Sequence, residues 1–179
     1  MAITTQVGHI QQAINFINNH NHLYFEFAKE ADWSDSNNPE AENETTTSLT
    51  DPKAFLKVDH LYLCYDTNTT TTSSTDTDTT ITYKSKAWSI VDPTTVLPST
   101  GIPTQDARYV CLVGTLAVSE LDTFKYTQIG VVDFQADLDS HALLANAVSS
   151  PGSLLFYENR MLETYTNTNS KVVKYMLKF

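Results

Sequence analysis

From Thr4 to Asn18 the apolar residues Val7, Ile10, Ile14 and Ile17 recur at steps of three and four, which lines them along one face of a helix that Thr4 or Thr5 can cap. Asn18-Asn19-His20-Asn21 breaks that period, and Leu23-Tyr24-Phe25-Glu26-Phe27-Ala28 reads as an aromatic-rich strand. From about 32 to 52 the chain is polar, acidic and aperiodic, the pattern of a long mobile surface loop. Strand character resumes over Lys57 to Tyr65. Residues 66–80 are almost wholly Thr, Ser, Asp and Asn, too poor in apolar surface to offset their ordering entropy, so a second mobile loop is expected there.

Ile81 to Val91 alternates well enough to pair back on the preceding strand, and Pro93, Pro98, Gly101 and Pro103 then stiffen a connecting loop. Arg108 to Val118 and Thr123 to Phe134 carry the densest Val, Leu, Ile and aromatic content. The short Ser119-Glu120-Leu121-Asp122 link predicts that they form a central hairpin. Asp139 or Ser140 can cap a second helix through Ala142, Leu143, Leu144, Ala147 and Val148, stopped by Pro151-Gly152. Leu154-Leu155-Phe156-Tyr157 and Lys171 to Phe179 read as the last strands. The expected architecture is one mainly β domain over residues 1–179, a β-sandwich core of about seven strands with the N-terminal helix and one further helix at its periphery.

Composition narrows the function. Eleven Lys+Arg against 21 Asp+Glu give a formal net charge of -10, a field that repels a phosphate backbone, so no nucleic-acid partner is expected. No apolar run approaches the roughly 20 residues that cross a bilayer, and the first residues lack the cationic start and apolar stretch of a secretory signal. A chain without membrane contact that stays unexported is the expectation. Cys64 and Cys111 each lie in an apolar strand-like run and read as two buried thiols.

Candidate chemistry is sparse. His20 and His22 share a strand face if that segment is extended, and Asp59-His60 can add ligands, but histidines in an Asn-rich turn are ordinary surface residues. Cys64 or Cys111 with His60 or His141, or one of many serines, are the candidates for nucleophilic chemistry, and no Gly-x-Ser-x-Gly, Gly-x-Gly-x-x-Gly or Walker pattern occurs. Glu40, Glu42 and Glu44 read as a solvated acidic face. The expectation is therefore no enzyme, with no catalytic residue, cofactor or metal.

Two segments ask for another explanation. Trp33 follows Asp32 at the exit of the aromatic strand, where its ring can plug a loop base while its N–H finds an acceptor. At Tyr157-Glu158-Asn159-Arg160 a strand passes into polar residues, where Arg160 can form a bidentate carboxylate pair and Asn159 a tight turn. A brace within the fold and a contact between subunits are both open readings.

Taken in order, Leu23 to Lys29, Asp32-Trp33-Ser34-Asp35 with Pro39, the Phe124 to Val132 stretch containing Gln128, and Gly152 to Arg160 with Glu158-Asn159-Arg160 resemble the signature of the baseplate wedge subunit called gene product eight in T4-like contractile-tailed phages, in a shortened form. The resemblance implies a structural component of the baseplate wedge, with Trp33, Asp35, Pro39, Gln128, Glu158, Asn159 and Arg160 as signature and interface residues. It also implies other wedge proteins as partners, a homodimer, and a place in the virion tail baseplate after assembly in the host cytoplasm. A host- or glycan-binding tail module is the alternative, on the strength of the Thr/Asn loops and of Trp33 and Trp88.

Overall fold

The strand β1 (Leu23–Ala28) is buried along its whole length, which the alternation of Leu23, Phe25 and Phe27 with Tyr24, Glu26 and Ala28 permits only if both of its faces are covered. In the computed structural model, which describes residues 3–66, 80–97, 103–150 and 152–179, β1 is the middle strand of a five-stranded antiparallel sheet. β2 (Pro52–Lys57) and β7 (Phe124–Asp133) flank it, and β8 (Ala142–Leu144) and β9 (Ser153–Tyr165) form the edges. Phe25 stands opposite Leu56 on one side and Val131 on the other. Tyr24, Phe55, Val132 and Phe134 pack on one face beneath Leu138, Ala145 and Val148, with Phe134 meeting Tyr24 and Phe55 edge-on at 5.3 and 5.6 Å. The Tyr24 hydroxyl accepts from the Leu138 amide at 2.9 Å, which ties the chain beyond β7 onto that face.

A second five-stranded sheet runs β10 (Lys171–Lys178), β6 (Tyr109–Leu116), β3 (His60–Asp66), β5 (Lys86–Ile90) and β4 (Thr80–Tyr83). Cys64, Ile81, Trp88, Cys111 and Val113 cluster on one face with Tyr62, Tyr83, Ile90, Tyr109 and Met176. The sheet curls, because Lys174 on one edge strand donates to the Thr82 carbonyl on the other at 2.9 Å. The helix α1 (Gln6–Asn19) is capped by the Thr5 hydroxyl, which accepts from the Gly8 amide, and it buries Ile10, Ala13 and Phe16, the last against Phe179 at 5.4 Å. Among the described residues the chain forms two compact units, residues 1–21, 60–113 and 174–179 in one and 22–59 and 114–173 in the other.

The mainly β class holds, but among the described residues there are ten strands rather than about seven. Residues 139–148 form no α-helix. Ala142–Leu144 pairs with β2, placing Leu143 opposite Phe55, and a single 3-10 turn at Ala145–Ala147 follows. A helix shorter than three turns has little stability of its own, so an open sheet edge outcompetes it. The expected hairpin of β6 with β7 is also absent: β6 pairs with β3 and joins β10 in the second sheet, while β7 pairs with β1 and β9 in the first. Residues 81–91 hold two strands, turned by Lys84 and Ser85 at φ 47° and 62°, the pair of positive values that a tight hairpin needs. The Thr/Ser tract expected as a loop lies, over residues 67–79, outside the described residues. Both cysteines are free and buried, and burial pushes their thiols up to about 12 for Cys64 and about 11 for Cys111.

Glu26 is the charged residue at the centre of this packing. It lies between Phe55 and Gly130 on the neighbouring strands, and burial raises its carboxyl to about 7. The folded form then holds a proton that the unfolded chain releases near 4.5, so stability falls as pH rises from about 4.5 to about 7 and is level above. Glu26→Gln should abolish that fall and stabilise the chain at pH 8 by up to on the order of 3 kcal/mol, read from urea midpoints across the pH range.

Candidate functional site

Residues 29–51 join β1 to β2 as a long loop whose two ends are fixed by the backbone. Lys29 and Asp51 both sit at φ 55°, and the Lys29 amide donates to the carbonyls of Thr50 and Asp51 at 3.0 and 3.1 Å, closing the loop at its neck. Thr127 on β7 grips the outgoing chain. Its amide and hydroxyl donate to the Lys29 carbonyl at 2.9 and 2.8 Å, and the hydroxyl also reaches the Ala31 carbonyl at 3.2 Å. Lys53 holds the Glu30 and Asp51 carboxylates at 2.9 and 3.0 Å.

From that neck the loop folds against the edge strand β9. The Trp33 indole, 6% exposed, donates to the Arg160 carbonyl at 2.6 Å, and the Lys29 ammonium stands 3.4 Å from the centre of its ring. Asn159 works in three directions: its side-chain carbonyl accepts from Gln128 at 2.8 Å, its side-chain amide donates to the Glu40 carbonyl at 2.8 Å, and its backbone amide donates to the Glu42 carboxylate at 3.0 Å. The Tyr157 hydroxyl accepts from the Asn43 amide, donates to the Asn43 carbonyl at 3.2 Å, and lies 3.2 Å from the Thr46 hydroxyl. Leu49 completes the seal over Gly130, where a Cβ would come within 3.0 Å of Leu49 and 2.8 Å of Leu154. A cavity of about 450 Å³ remains under the loop, bounded by Lys29, Trp33, Asn43, Gln128, Tyr157 and Asn159.

Four of the seven signature residues therefore meet at one place: Trp33, Gln128, Asn159 and Arg160. Asp35 shapes the loop by accepting from the Asn37 amide at 3.1 Å, and Pro39 leads into the Glu40 carbonyl that Asn159 uses. Glu158 stands 3.5 Å from Arg160, whose other nitrogen is 3.6 Å from Glu163, so Arg160 makes two long single ion pairs instead of the bidentate pair expected. Asn159 holds no turn, because Glu158-Asn159-Arg160 lies inside the thirteen-residue strand β9. Lys29 and Tyr157, which lie within the matched segments, belong to the same brace, as do Glu42 and Asn43, which carry no sequence signal.

A second polar node lies in the same unit. His141 is held between Glu120 and Asp59, at 2.6 Å through Nδ1 and 2.8 Å through Nε2. Each carboxylate uses its other oxygen on a backbone amide, Asp59 on Thr115 at 2.8 Å and Glu120 on Ala117 at 2.7 Å. Burial opposes the charge on His141, but the hydrogen bonds to Glu120 and Asp59 outweigh it and raise its pKa above the ordinary 6.5. His22 and Lys57 hold Asp137 at 3.0 and 2.6 Å, so His22 has a carboxylate partner and is no free ligand. Among the described residues no group of three His, Cys, Asp or Glu is arranged for a metal ion.

A family model described as "Baseplate wedge 3 tail fiber network component" matches residues 1–179. "Virion protein 3" of Enterococcus phage phiEF24C is 25% identical over 170 residues, covering 93% of this chain and 89% of that protein. These matches agree with the phage baseplate kinship drawn from the Trp33 and Arg160 segments, and neither names gene product eight. The family is one of structural virion proteins.

Trp33→Phe keeps the ring and removes one donor, so it should cost about 1 kcal/mol, whereas Trp33→Ala should cost about 3 kcal/mol or more. Limited proteolysis between residues 34 and 48, run beside urea melts, should show cleavage rising in the same order. His141 should add stability that is complete below pH 6.5 and is lost as pH rises through its raised folded value. His141→Gln should flatten that part of the stability profile above pH 6.5 and leave the Glu26 part below it.

Proposed function

We propose that this chain, which belongs to the family of baseplate wedge 3 tail fiber network components, is a structural subunit of a phage tail baseplate wedge that works through fixed protein–protein contacts and catalyses no reaction. The observation that carries the reading is the brace between residues 29–51 and β9. A chain segment of this length, tied at its neck by Thr127 and along its body by Trp33, Asn159 and Tyr157, presents a shaped surface whose form does not depend on a ligand. Such a surface suits permanent assembly. Its partners are other wedge proteins, assembled with it in the host cytoplasm, and gene product eight of T4-like phages is its functional counterpart.

The glycan-binding alternative finds less support. Sugar recognition uses open aromatic faces, whereas Trp33 and Trp88 are 6% and 8% exposed and the Trp33 N–H is already spent on Arg160. Mass spectrometry of isolated baseplates, with cryo-microscopy of the intact particle, tests the proposal. The chain should appear in fixed copy number in the baseplate, and finding it only in the capsid, or only free in the lysate, would sink the reading.

A further inference from the structure

The charge of this chain is divided very unequally. Residues 1–21, 60–113 and 174–179 carry five Lys/Arg and five Asp/Glu, while residues 22–59 and 114–173 carry six and sixteen. The formal net charge of -10 thus resides in one unit, and the other is neutral. Within the acidic unit the densest run is the braced loop, with seven carboxylates and no Lys or Arg from Glu30 to Asp51. Several are occupied: Glu30 and Asp51 by Lys53, Glu42 by the Asn159 amide, Asp32 by the Trp33 amide. Glu40 and Glu44 point their charge into solvent from exposed positions.

In the neutral unit Arg108 is paired with Asp106, and four lysines gather on one sheet. Lys84, Lys86 and Lys178 are set over the rings of Tyr83, Trp88 and Tyr109 at 5.6, 4.5 and 5.9 Å, and Lys174 spans from β10 to the Thr82 carbonyl. All four accompany the aromatic cluster on one side of the curled sheet, where Lys86 also pairs with Asp66. The Trp88 N–H is buried beside them and has no acceptor among the described residues. Ammonium groups held over aromatic rings are partly desolvated and restricted in position, which lowers the cost of bringing carboxylates to them.

We propose that the lysine-bearing face of the β10-β6-β3-β5-β4 sheet docks the acidic 30–51 loop of a second copy of this chain. The two surfaces differ, so each copy offers one of each, and copies associate either head to tail or by exchanging both contacts about a two-fold axis. The brace described above supplies the rigidity the loop needs to act as a docking element. This inference is read on the purified chain and stands whether or not the baseplate assignment does.

The test is sedimentation of the purified full chain at about 0.01 M and about 1 M salt, between which the screening length falls from about 30 Å to about 3 Å. At low salt the average mass should exceed the 20.0 kDa of one chain, and at high salt it should return to that value. Lys84→Glu with Lys178→Glu should remain monomeric at low salt, as should Glu40→Lys with Glu44→Lys, and mixing the two variants should restore association. All four positions are exposed, and the neutral pair Lys84→Gln with Lys178→Gln provides a milder version should the charge reversals disturb folding by circular dichroism. A wild-type chain that is monomeric at low salt, association that survives both sets of variants, or a mixture that stays monomeric would overturn the proposal.

Discussion

A thirteen-residue edge strand is the constraint around which the first sheet is organised. β9 pairs with β7 on one side only, and its other side would leave a row of backbone donors and acceptors open to any strand that met it. The chain answers this without adding a strand. The Glu42 carboxylate takes the Asn159 amide and the Trp33 indole reaches the Arg160 carbonyl, so side chains stand where a neighbouring backbone would otherwise be. Side chains can do this only if the loop that carries them is fixed, and the left-handed residues Lys29 and Asp51 with Thr127 between them fix it. Edge protection, loop shape and the positions of the signature residues are consequences of one arrangement.

Much of this was legible in the sequence where a single physical cause dominated. The α1 period, the β1 and β7 aromatics and the two buried thiols follow from apolar burial, which acts locally and leaves a pattern. Even so, the buried stripe of α1 is Ile10, Ala13 and Phe16, with Val7 left exposed, because the helix docks on its Phe16 side against Phe179. The errors arise where partners distant in sequence decide. Residues 142–144 have a helical composition, but β2 offers them an edge, and no local pattern reports that edge. β6 and β7 look like a hairpin because their link is short, yet Leu112 stands opposite Leu61 and Val131 opposite Phe25, so each strand is claimed by a different sheet. The turn at Lys84-Ser85 lacks the Asn-Gly or Gly signal that its positive φ angles ordinarily leave behind.

The candidate site was half legible for a similar reason. Trp33 and Arg160 stand out as residue types, and the indole acceptor expected for Trp33 exists, but that acceptor is a main-chain carbonyl, which no sequence encodes. Asn159 looked like a turn residue because short polar side chains bond to nearby backbone. It does so here across 119 positions of sequence, to Glu40, from within a strand. Polar residues in the middle of β9 are compatible with an edge strand and would not be with a central one, so the same observation that misled the boundary of the strand identifies its place in the sheet.

Near neutrality the titrating groups of the acidic unit act in one direction, while the lowered carboxyls of Asp137 and Glu163 act the opposite way at lower pH. Glu26 loses a favourable proton as pH rises toward 7, His141 loses its charge above 6.5, and sixteen carboxylates against six cations repel one another increasingly as they ionise. An isolated chain is therefore most secure on the acid side of neutrality and carries its electrostatic strain at the pH of the cell. Anything that brings cations to this unit relieves the repulsion, and by linkage whatever binds the folded form alone adds its binding energy to the stability of the fold. The acidic excess, which in a free protein chiefly secures solubility, becomes in an assembly a reserve of stability that a positively charged neighbour releases.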